Sequence, residues 1–149
     1  MEVAGTVGGI LARKGDRVYT IGPDRTVFDA LQLMADKNIG ALMVVQDEQL
    51  LGVVSERDYS RKVILHGRSS KETPVREIMT PEPLVTSPDE KISVCMELMT
   101  EHRTRHLPVL EDGRLVGVVS IGDLVNWMIS AQAAAIDNLE RYITGDYPA

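Results

Sequence analysis

Cysteine and long apolar runs are scarce in this sequence, and each shortage excludes a class of protein. Only one of the 149 residues is cysteine, which rules out an internal disulfide framework and fits a reducing compartment. No apolar run approaches the roughly 20 residues of a membrane-spanning helix. Acidic residues outnumber basic ones, and the net charge of -6 argues against general affinity for DNA or RNA. The first residues lack the basic segment of a secretory signal, so we expect the cytoplasm.

The sequence signatures of common catalytic and metal sites are also missing. It contains no Gly-x-Gly-x-x-Gly or Walker-type loop and no Ser/His/Asp elbow. His102 and His106 have the i,i+4 spacing of helical zinc sites, but no third ligand is evident, so we predict no metal. Cys95 lies on an apolar helix stripe, which favours a buried small residue over a nucleophile.

What the sequence does contain is an internal repeat with an offset of 65 residues. Between 23–58 and 88–123, 13 of 36 aligned positions are identical, without a gap. Each copy ends in Gly-Val-Val-Ser-x-x-Asp, at Gly52 and at Gly117. A repeat of this length indicates a duplicated supersecondary unit.

Each copy has the pattern helix, strand, strand, helix, which predicts an α/β (α+β) fold. Apolar residues at i, i+3, i+4 and i+7 from Val27 and from Ile92 predict two amphipathic helices. Two β-branched runs around a short polar turn then predict an antiparallel hairpin. We expect each repeat to form a small sheet with helices packed on it, and a pseudo-twofold axis to relate the two repeats in one disc-like module. Leu33 and Leu98 lie outside the helix stripes and suggest a further buried surface, such as that of a homodimer.

The remaining segments set the predicted boundaries. One closing helix is expected from Ser55 to about His66, and a short helix capped by Thr73 in the inter-repeat linker. A short docked helix is expected from Val7 to Lys14. The predicted divisions are repeat 1 at 14–67, the linker at 68–83, repeat 2 at 84–130 and a C-terminal helical extension at 131–149.

The two Ser-x-x-Asp segments allow two interpretations. Ser55 with Asp58, and Ser120 with Asp123, have the spacing of a capping box at a helix N-terminus. The same N–H groups and helix dipole suit a phosphate, and an aspartate can accept hydrogen bonds from the two hydroxyls of a ribose. Nearby basic residues favour a phosphate ligand as a set, although each taken singly fits a solvated surface. They are Arg57, Arg61, Lys62, Arg103, Arg105 and His106.

The combined motifs resemble the tandem cystathionine-β-synthase-type (CBS) repeats, whose pairs form a Bateman module. The resemblance depends on Pro-Asp before each first helix, Leu-Met near its end, Leu-Pro-Val on the second hairpin and the duplicated Gly-Val-Val-Ser-x-x-Asp. It implies a disc with two clefts for an adenosine-containing ligand: AMP, ADP, ATP or NAD ahead of S-adenosylmethionine. It also implies phosphate and ribose contacts at the two Ser-x-x-Asp motifs.

Further site residues follow from the same resemblance. The segments before the hairpins would contact the base and the phosphate of the ligand. A threonine three residues before Pro-Asp would face the base. In the first repeat this position is Thr20, and in the second it is Val85, with Thr86 beside it. Arg57 and Gly122 differ in charge and bulk, so the two sites are expected to differ. The implied ligand-binding residues are Thr20, Ile39, Gly40, Ala41, Ser55, Arg57, Asp58, Thr86, Arg105, His106, Leu107, Ser120, Ile121, Gly122 and Asp123.

The resulting hypothesis is a non-catalytic, homodimeric adenine-nucleotide sensor that acts on a separate protein through ligand-dependent reorientation of its repeats. No nucleic-acid or membrane partner is expected. Two alternatives remain: a structural adaptor with vestigial clefts, and a small nucleotide-processing enzyme, for which the sequence offers no activated nucleophile or metal. The role of 131–149 stays open, as a dimer contact or a partner contact.

Overall fold

A computed structural model describes residues 4–144 of the chain and confirms the α/β class with two repeats of helix, strand, strand and helix. The helices are α1 (Val7–Lys14), α2 (Val27–Lys37), α3 (Glu56–Lys62), α4 (Ile92–His102) and α5 (Ile121–Thr144). The strands are β1 (Thr20–Ile21), β2 (Ala41–Gln46), β3 (Gln49–Ser55), β4 (Thr80–Pro81), β5 (His106–Glu111) and β6 (Arg114–Ser120).

The chain forms two compact units. The sheet unit comprises Asp16–Val85 and Pro108–Val118. The helical unit comprises, within the described residues, 4–15, Thr86–Leu107 and 119–144.

A four-stranded sheet in the order β1-β2-β3-β4 organises the sheet unit. β1 runs parallel to β2, and the other neighbours are antiparallel. The register places Thr20 opposite Met43 and Ala41 opposite Ser55. Leu42, Met43 and Val44 are almost fully buried in succession. Because consecutive strand residues point to opposite faces, β2 is covered on both sides, as its unbroken apolar run predicts.

The two hairpin turns have nearly the same backbone. Asp47 and Glu48 have φ of 51° and 64°, and Asp112 and Gly113 have 51° and 78°. Two successive positive φ values are the mark of the type I′ turn, whose twist matches that of an antiparallel hairpin. The predicted hairpin is therefore confirmed for β2 and β3, which pair antiparallel.

The first helix of each repeat buries its predicted stripe. In α2, Val27, Ala30 and Met34 are buried, with 2% or less of each residue exposed. In α4 the buried positions are Ile92, Cys95 and Met99. Leu33 and Leu98 are half-buried, so the homodimer that they suggested stays a prediction.

The short docked helix predicted from Val7 to Lys14 is present as α1 and packs within the helical unit. The Thr6 hydroxyl caps α1 by accepting from Gly9 N, and Val7 and Ile10 are buried beneath it. The N–H of Val7 donates to the carbonyl of Glu90 at 2.9 Å, which ties the start of α1 to the chain that precedes α4.

Two predicted helices differ from the structure. α3 ends at Lys62, and a separate 3-10 turn runs from Ile64 to His66. The helix ends at Val63, whose side chain is fully buried and whose φ is −114°; its carbonyl accepts from His66 N and Arg68 N, and not from Gly67 N as in a continuing helix.

The predicted linker helix is wrong in its length and in its cap. Thr73 is buried and its hydroxyl donates to the carbonyl of Ser69, so it caps nothing. Pro74 is extended and bridges to Thr26, and one 3-10 turn, Val75–Glu77, follows. The N–H of Val75 donates to Arg25 O at 2.8 Å, and this pairing leaves room for a single turn.

Candidate functional site

The first Ser-x-x-Asp motif forms a complete capping box at the start of α3. Asp58 N donates to Ser55 Oγ at 3.2 Å, and Ser55 N donates to Asp58 Oδ2 at 2.9 Å. The Ser55 hydroxyl donates to the same carboxylate oxygen at 3.0 Å. The capping interpretation of this motif is therefore confirmed, and the box fixes both side chains at the helix end.

The second motif repeats this geometry at the start of α5. Ser120 N donates to Asp123 Oδ2 at 2.8 Å, and Asp123 N donates to Ser120 Oγ at 3.1 Å. Both motifs are half-buried at the exit of a strand. The duplicated sequence thus produces duplicated local structure.

The segment before each hairpin is held against the corresponding motif. Glu56 N donates to the carbonyl of Gly40 at 3.1 Å, and Ile121 N donates to the carbonyl of Arg105 at 2.9 Å. These two contacts are equivalent under the 65-residue offset. In each repeat they bring together the predicted segment before the hairpin and the predicted motif after it.

A lysine neutralises the first capping aspartate. Lys62, one turn further along α3, places Nζ 3.1 Å from Asp58 Oδ1. The same ammonium donates to the carbonyl of Ile78 at 2.8 Å. A carboxylate has about four lone-pair positions, so Asp58 can still accept a further hydrogen bond beyond its three contacts.

The second capping aspartate meets a lysine from a different part of the chain. Lys14, the last residue of α1, places Nζ 2.7 Å from Asp123 Oδ2. The position equivalent to Lys62 is Trp127, which cannot supply this charge. α1 therefore supplies to the second motif the cation that α3 supplies to the first.

Trp127 also packs against α1 and holds it where Lys14 can pair with Asp123. Its indole Nε1 donates to the carbonyl of Ala4 at 2.9 Å, and the Arg13 guanidinium lies 4.5 Å from the ring centroid. Gly5 and Gly9 lie flat against the ring, since a Cβ there would come within 2.7 and 2.9 Å of it. The absence of side chains at both positions permits this close approach.

His106 is a half-buried titratable group beside the second motif. Burial lowers its pKa from the usual value of 6.5, Asp123 raises it, and Lys14 and Arg105 lower it. Its equivalent in the first repeat is Ala41. The two sites thus differ in their titration behaviour as well as in the source of their lysine.

Other predicted site residues occupy varied positions. Thr20 is exposed at the edge of an open groove of about 490 Å³ that Arg25 and Asp29 also line. Thr86 is buried, and its hydroxyl lies 3.4 Å from Cys95 Sγ. The remaining members divide by exposure: Arg57, Gly40, Gly122 and Arg105 are exposed, Ile39 and Ile121 are half-buried, and Ala41 and Leu107 are buried.

The residues weighed for other chemistry do not assemble into a site. α4 ends at His102, so His102 and His106 do not share a helix face. Residues 4–144 contain no group of three or more side chains arranged to hold a metal ion. Burial raises the pKa of the Cys95 thiol, which disfavours the thiolate.

Sequence reasoning missed Lys14. Lys14 lies outside the aligned stretch 23–58, so the repeat alignment could not reveal it. The one available signal was the replacement of Lys62 by Trp127 at the equivalent position, which leaves Asp123 without a local cation.

A family model described as the CBS domain matches residues 7–64 and again residues 75–130. The chain belongs to the CBS domain family. The two matches contain the two Ser-x-x-Asp motifs, one in each. No helix among residues 4–144 has the length and apolar character needed to cross a membrane.

Curated relatives share most of the chain. The CBS domain-containing protein CBSX3, mitochondrial, of Arabidopsis thaliana is 45% identical over 83% of this chain, which spans 63% of that protein's length. The CBS domain-containing protein YhcV of Bacillus subtilis is 35% identical over 84% of this chain and 90% of its own. Because the chain spans less than two thirds of CBSX3, the activity of that whole protein does not transfer to it.

Solved structures share the fold. A protein of Burkholderia ambifaria, described as a candidate signal-transduction protein with CBS domains, is 51% identical, covers 86% of this chain and 96% of its own, and has a TM-score of 0.83. The CBS domain pair of MJ0100 was solved in complex with 5′-methylthioadenosine and S-adenosyl-L-methionine. At 22% identity and a TM-score of 0.76 it shares the fold alone.

Proposed function

We propose that this CBS pair is a non-catalytic regulatory module that binds an adenosine-containing ligand at each Ser-x-x-Asp motif. The observation that carries the proposal is the duplicated box, in which serine, aspartate and the preceding segment are held together with a lysine at both copies. The helix N-terminus and the lysine would favour the phosphates of a ligand. Asp58 and Asp123 would accept hydrogen bonds from its ribose.

The proposed site residues are those of the two motifs and of the segments held against them. In the first site they are Ile39, Gly40, Ala41, Ser55, Arg57 and Asp58, and in the second Arg105, His106, Leu107, Ser120, Ile121, Gly122 and Asp123. To these we add Lys62 and Lys14, which form ion pairs with Asp58 and Asp123. Thr20 is proposed as a base contact of the first site, and Thr86, whose hydroxyl lies 3.4 Å from Cys95 Sγ, as its counterpart in the second.

The ligand class is proposed from chemistry and from the fold. A lysine beside each box favours a ligand with phosphate groups, so AMP, ADP, ATP or NAD is proposed ahead of S-adenosylmethionine. The complex of MJ0100 shows that a CBS pair of this fold can hold adenosyl compounds.

The proposed mechanism is a shift between two conformations. A ligand that binds one arrangement of the two repeats more tightly than another increases the population of that arrangement. A separate regulated protein then recognises it, with the module acting as a homodimer. The cytoplasm remains our proposed compartment, although one relative carries a mitochondrial designation.

Calorimetric titration tests this proposal. The purified protein is titrated with AMP, ATP, NAD and S-adenosylmethionine, and so are the variants Asp58→Ala and Asp123→Ala. Glu101→Ala, which removes an exposed carboxylate from α4, serves as the matched control. We expect micromolar binding of at least one ligand, with each aspartate variant losing one binding event and the control losing none. Each cap loss should also cost about 1 kcal/mol of stability, which denaturant unfolding followed by circular dichroism would detect.

The structural adaptor gives the opposite result. If a folded protein binds none of the four ligands, or if both aspartate variants bind as the wild type does, the boxes act as helix caps alone. The serine and aspartate of each box would then serve only to make hydrogen bonds and ion pairs within the chain.

A further inference from the structure

One face of α5 carries an apolar stripe at regular spacing, which we call the α5 seam. Its positions follow one another at intervals of 4, 3, 4, 3 and 4 residues and fall within an arc of about 80° on the helix. They are Val125, Ile129, Gln132, Ile136, Leu139 and Ile143. The five apolar members are 42% to 74% exposed, which is unusual for side chains of this size.

The seam is distinct from the face of α5 that packs on the helical unit. Leu124 is fully buried, and Trp127 and Met128 are half-buried. Beyond them, every side chain that the structure describes between 131 and 144 is exposed. This stretch is about 21 Å long, and an isolated helix of 14 residues is marginal in water without packing on an amphipathic face.

Alternating intervals of four and three are the heptad spacing of a coiled coil. We propose that the α5 seam pairs with the α5 seam of a second copy of this chain in a parallel two-helix coiled coil. This contact concerns α5 alone and is independent of the proposed ligand binding.

The side chain of Gln132 favours a second copy of this chain, in parallel orientation, as the partner of the seam. It is the one polar member of the seam, and burying its amide without a partner would be unfavourable. In a parallel pair the two Gln132 side chains lie at the same level and can hydrogen-bond to each other. An antiparallel pair whose seams overlap over their full length would place Gln132 near Ile136 of the second copy, and an apolar groove would leave it unpaired.

The charges on α5 are compatible with self-pairing. Asp137 and Arg141 form an ion pair, with Arg141 Nε 3.2 Å from Asp137 Oδ2, on the side of the helix away from the seam. In a parallel pair Glu140 flanks the seam opposite Ala135 of the second copy, so no like charges meet. Arg141 is the one basic residue between 125 and 144, whereas helices that lie on lipid carry many.

Sedimentation and cross-linking of the full chain test this proposal. Ile136→Glu introduces a charge into the seam, and Ala134→Glu introduces the same charge on the opposite face as a matched control. We expect the wild type and Ala134→Glu to sediment as dimers or larger assemblies at micromolar concentration. Ile136→Glu should dissociate at concentrations at least tenfold higher. Circular dichroism and denaturant unfolding show whether the remainder of the chain is intact.

Cross-linking fixes the orientation. Ile143→Cys would place two thiols side by side in a parallel pair but about 27 Å apart in an antiparallel one. Ala134→Cys is the control, and the native Cys95 is buried. We expect Ile143→Cys to form a disulfide-linked dimer under mild oxidation much faster than Ala134→Cys. Equal rates, or an Ile136→Glu variant whose mass equals that of the wild type at every concentration, would overturn the proposal.

Discussion

The two capping aspartates have the same immediate surroundings but obtain their cation in different ways. Asp58 is paired with Lys62 from its own helix, whereas Asp123 is paired with Lys14 from α1. At the position of Lys62 the second repeat has Trp127, and this tryptophan holds α1 in place. The comparison shows that one copy of a duplicated unit can lack a local ion pair and obtain the charge from a segment distant in the sequence. It also makes the second site dependent on α1 and the first site independent of it.

The largest expected effect on stability comes from removing the Trp127 side chain, against which α1 packs. Trp127→Ala deletes a half-buried ring together with its hydrogen bond to Ala4, and it should lower the free energy of unfolding by about 2–3 kcal/mol. The matched change, Lys62→Ala, removes the ion pair of a half-exposed lysine with Asp58 and a hydrogen bond to the carbonyl of Ile78, and it should cost about 1 kcal/mol. Denaturant unfolding measures both variants.

Digestion with trypsin compares the same two variants, Trp127→Ala and Lys62→Ala, in a second way. Cleavage after Lys14 should accelerate in Trp127→Ala, because α1 is released, and should be unchanged in Lys62→Ala. If the two variants lose equal stability and are cleaved at equal rates, then Trp127 does not hold α1 and the proposed difference between the repeats is wrong.

An intermediate effect concerns pH, because His106 has no titratable counterpart in the first repeat. Since its folded pKa is lowered from 6.5, the unfolded chain binds the proton more readily than the folded chain does. Stability should therefore fall as pH drops below about 6.5, until the pH also lies below the folded pKa. His106→Ala, which reproduces Ala41, should remove this part of the pH dependence.

Unfolding free energies measured between pH 5 and 8 in both proteins would check the sign. The pKa of His106 also depends on the charges of Asp123, Lys14 and Arg105. Lys14→Met therefore provides a second test, because without this cation the pKa of His106 should rise. A wild type whose stability increases as pH falls through this range would contradict the burial of His106 as its main influence.

Local sequence patterns predicted much of the fold because they report contacts between near neighbours. The apolar stripe of α2, the hairpin around Asp47 and the capping box at Ser55 each depend on residues within about ten positions of one another. The repeat then predicted the second copy of each. The resemblance to the CBS repeats, rather than local pattern, grouped each motif with the segment before its hairpin.

The errors arose where distant contacts override local preference. Thr73 and Pro74 have the sequence of a helix start, yet pairing with Arg25 and Thr26 keeps this segment extended. A helix pattern crosses Val63, but burial of its side chain ends α3 early. The partner of Asp123 could not be predicted for the same reason: Lys14 lies 109 residues away in the sequence.

The smallest expected effect compares the two hairpin turns at one position. Glu48 and Gly113 occupy equivalent places with φ of 64° and 78°, a region that costs a residue with a side chain about 1 kcal/mol. Glu48→Gly relieves this strain but makes the unfolded chain more flexible, so we expect a net gain of about 0.5 kcal/mol. Gly113→Glu should lose a similar amount. Thermal unfolding should show shifts of roughly 1–2 °C in opposite directions. Two shifts of the same sign would mean that Glu48 makes contacts in its turn that outweigh the backbone strain, and the two turns would then be alike only in backbone.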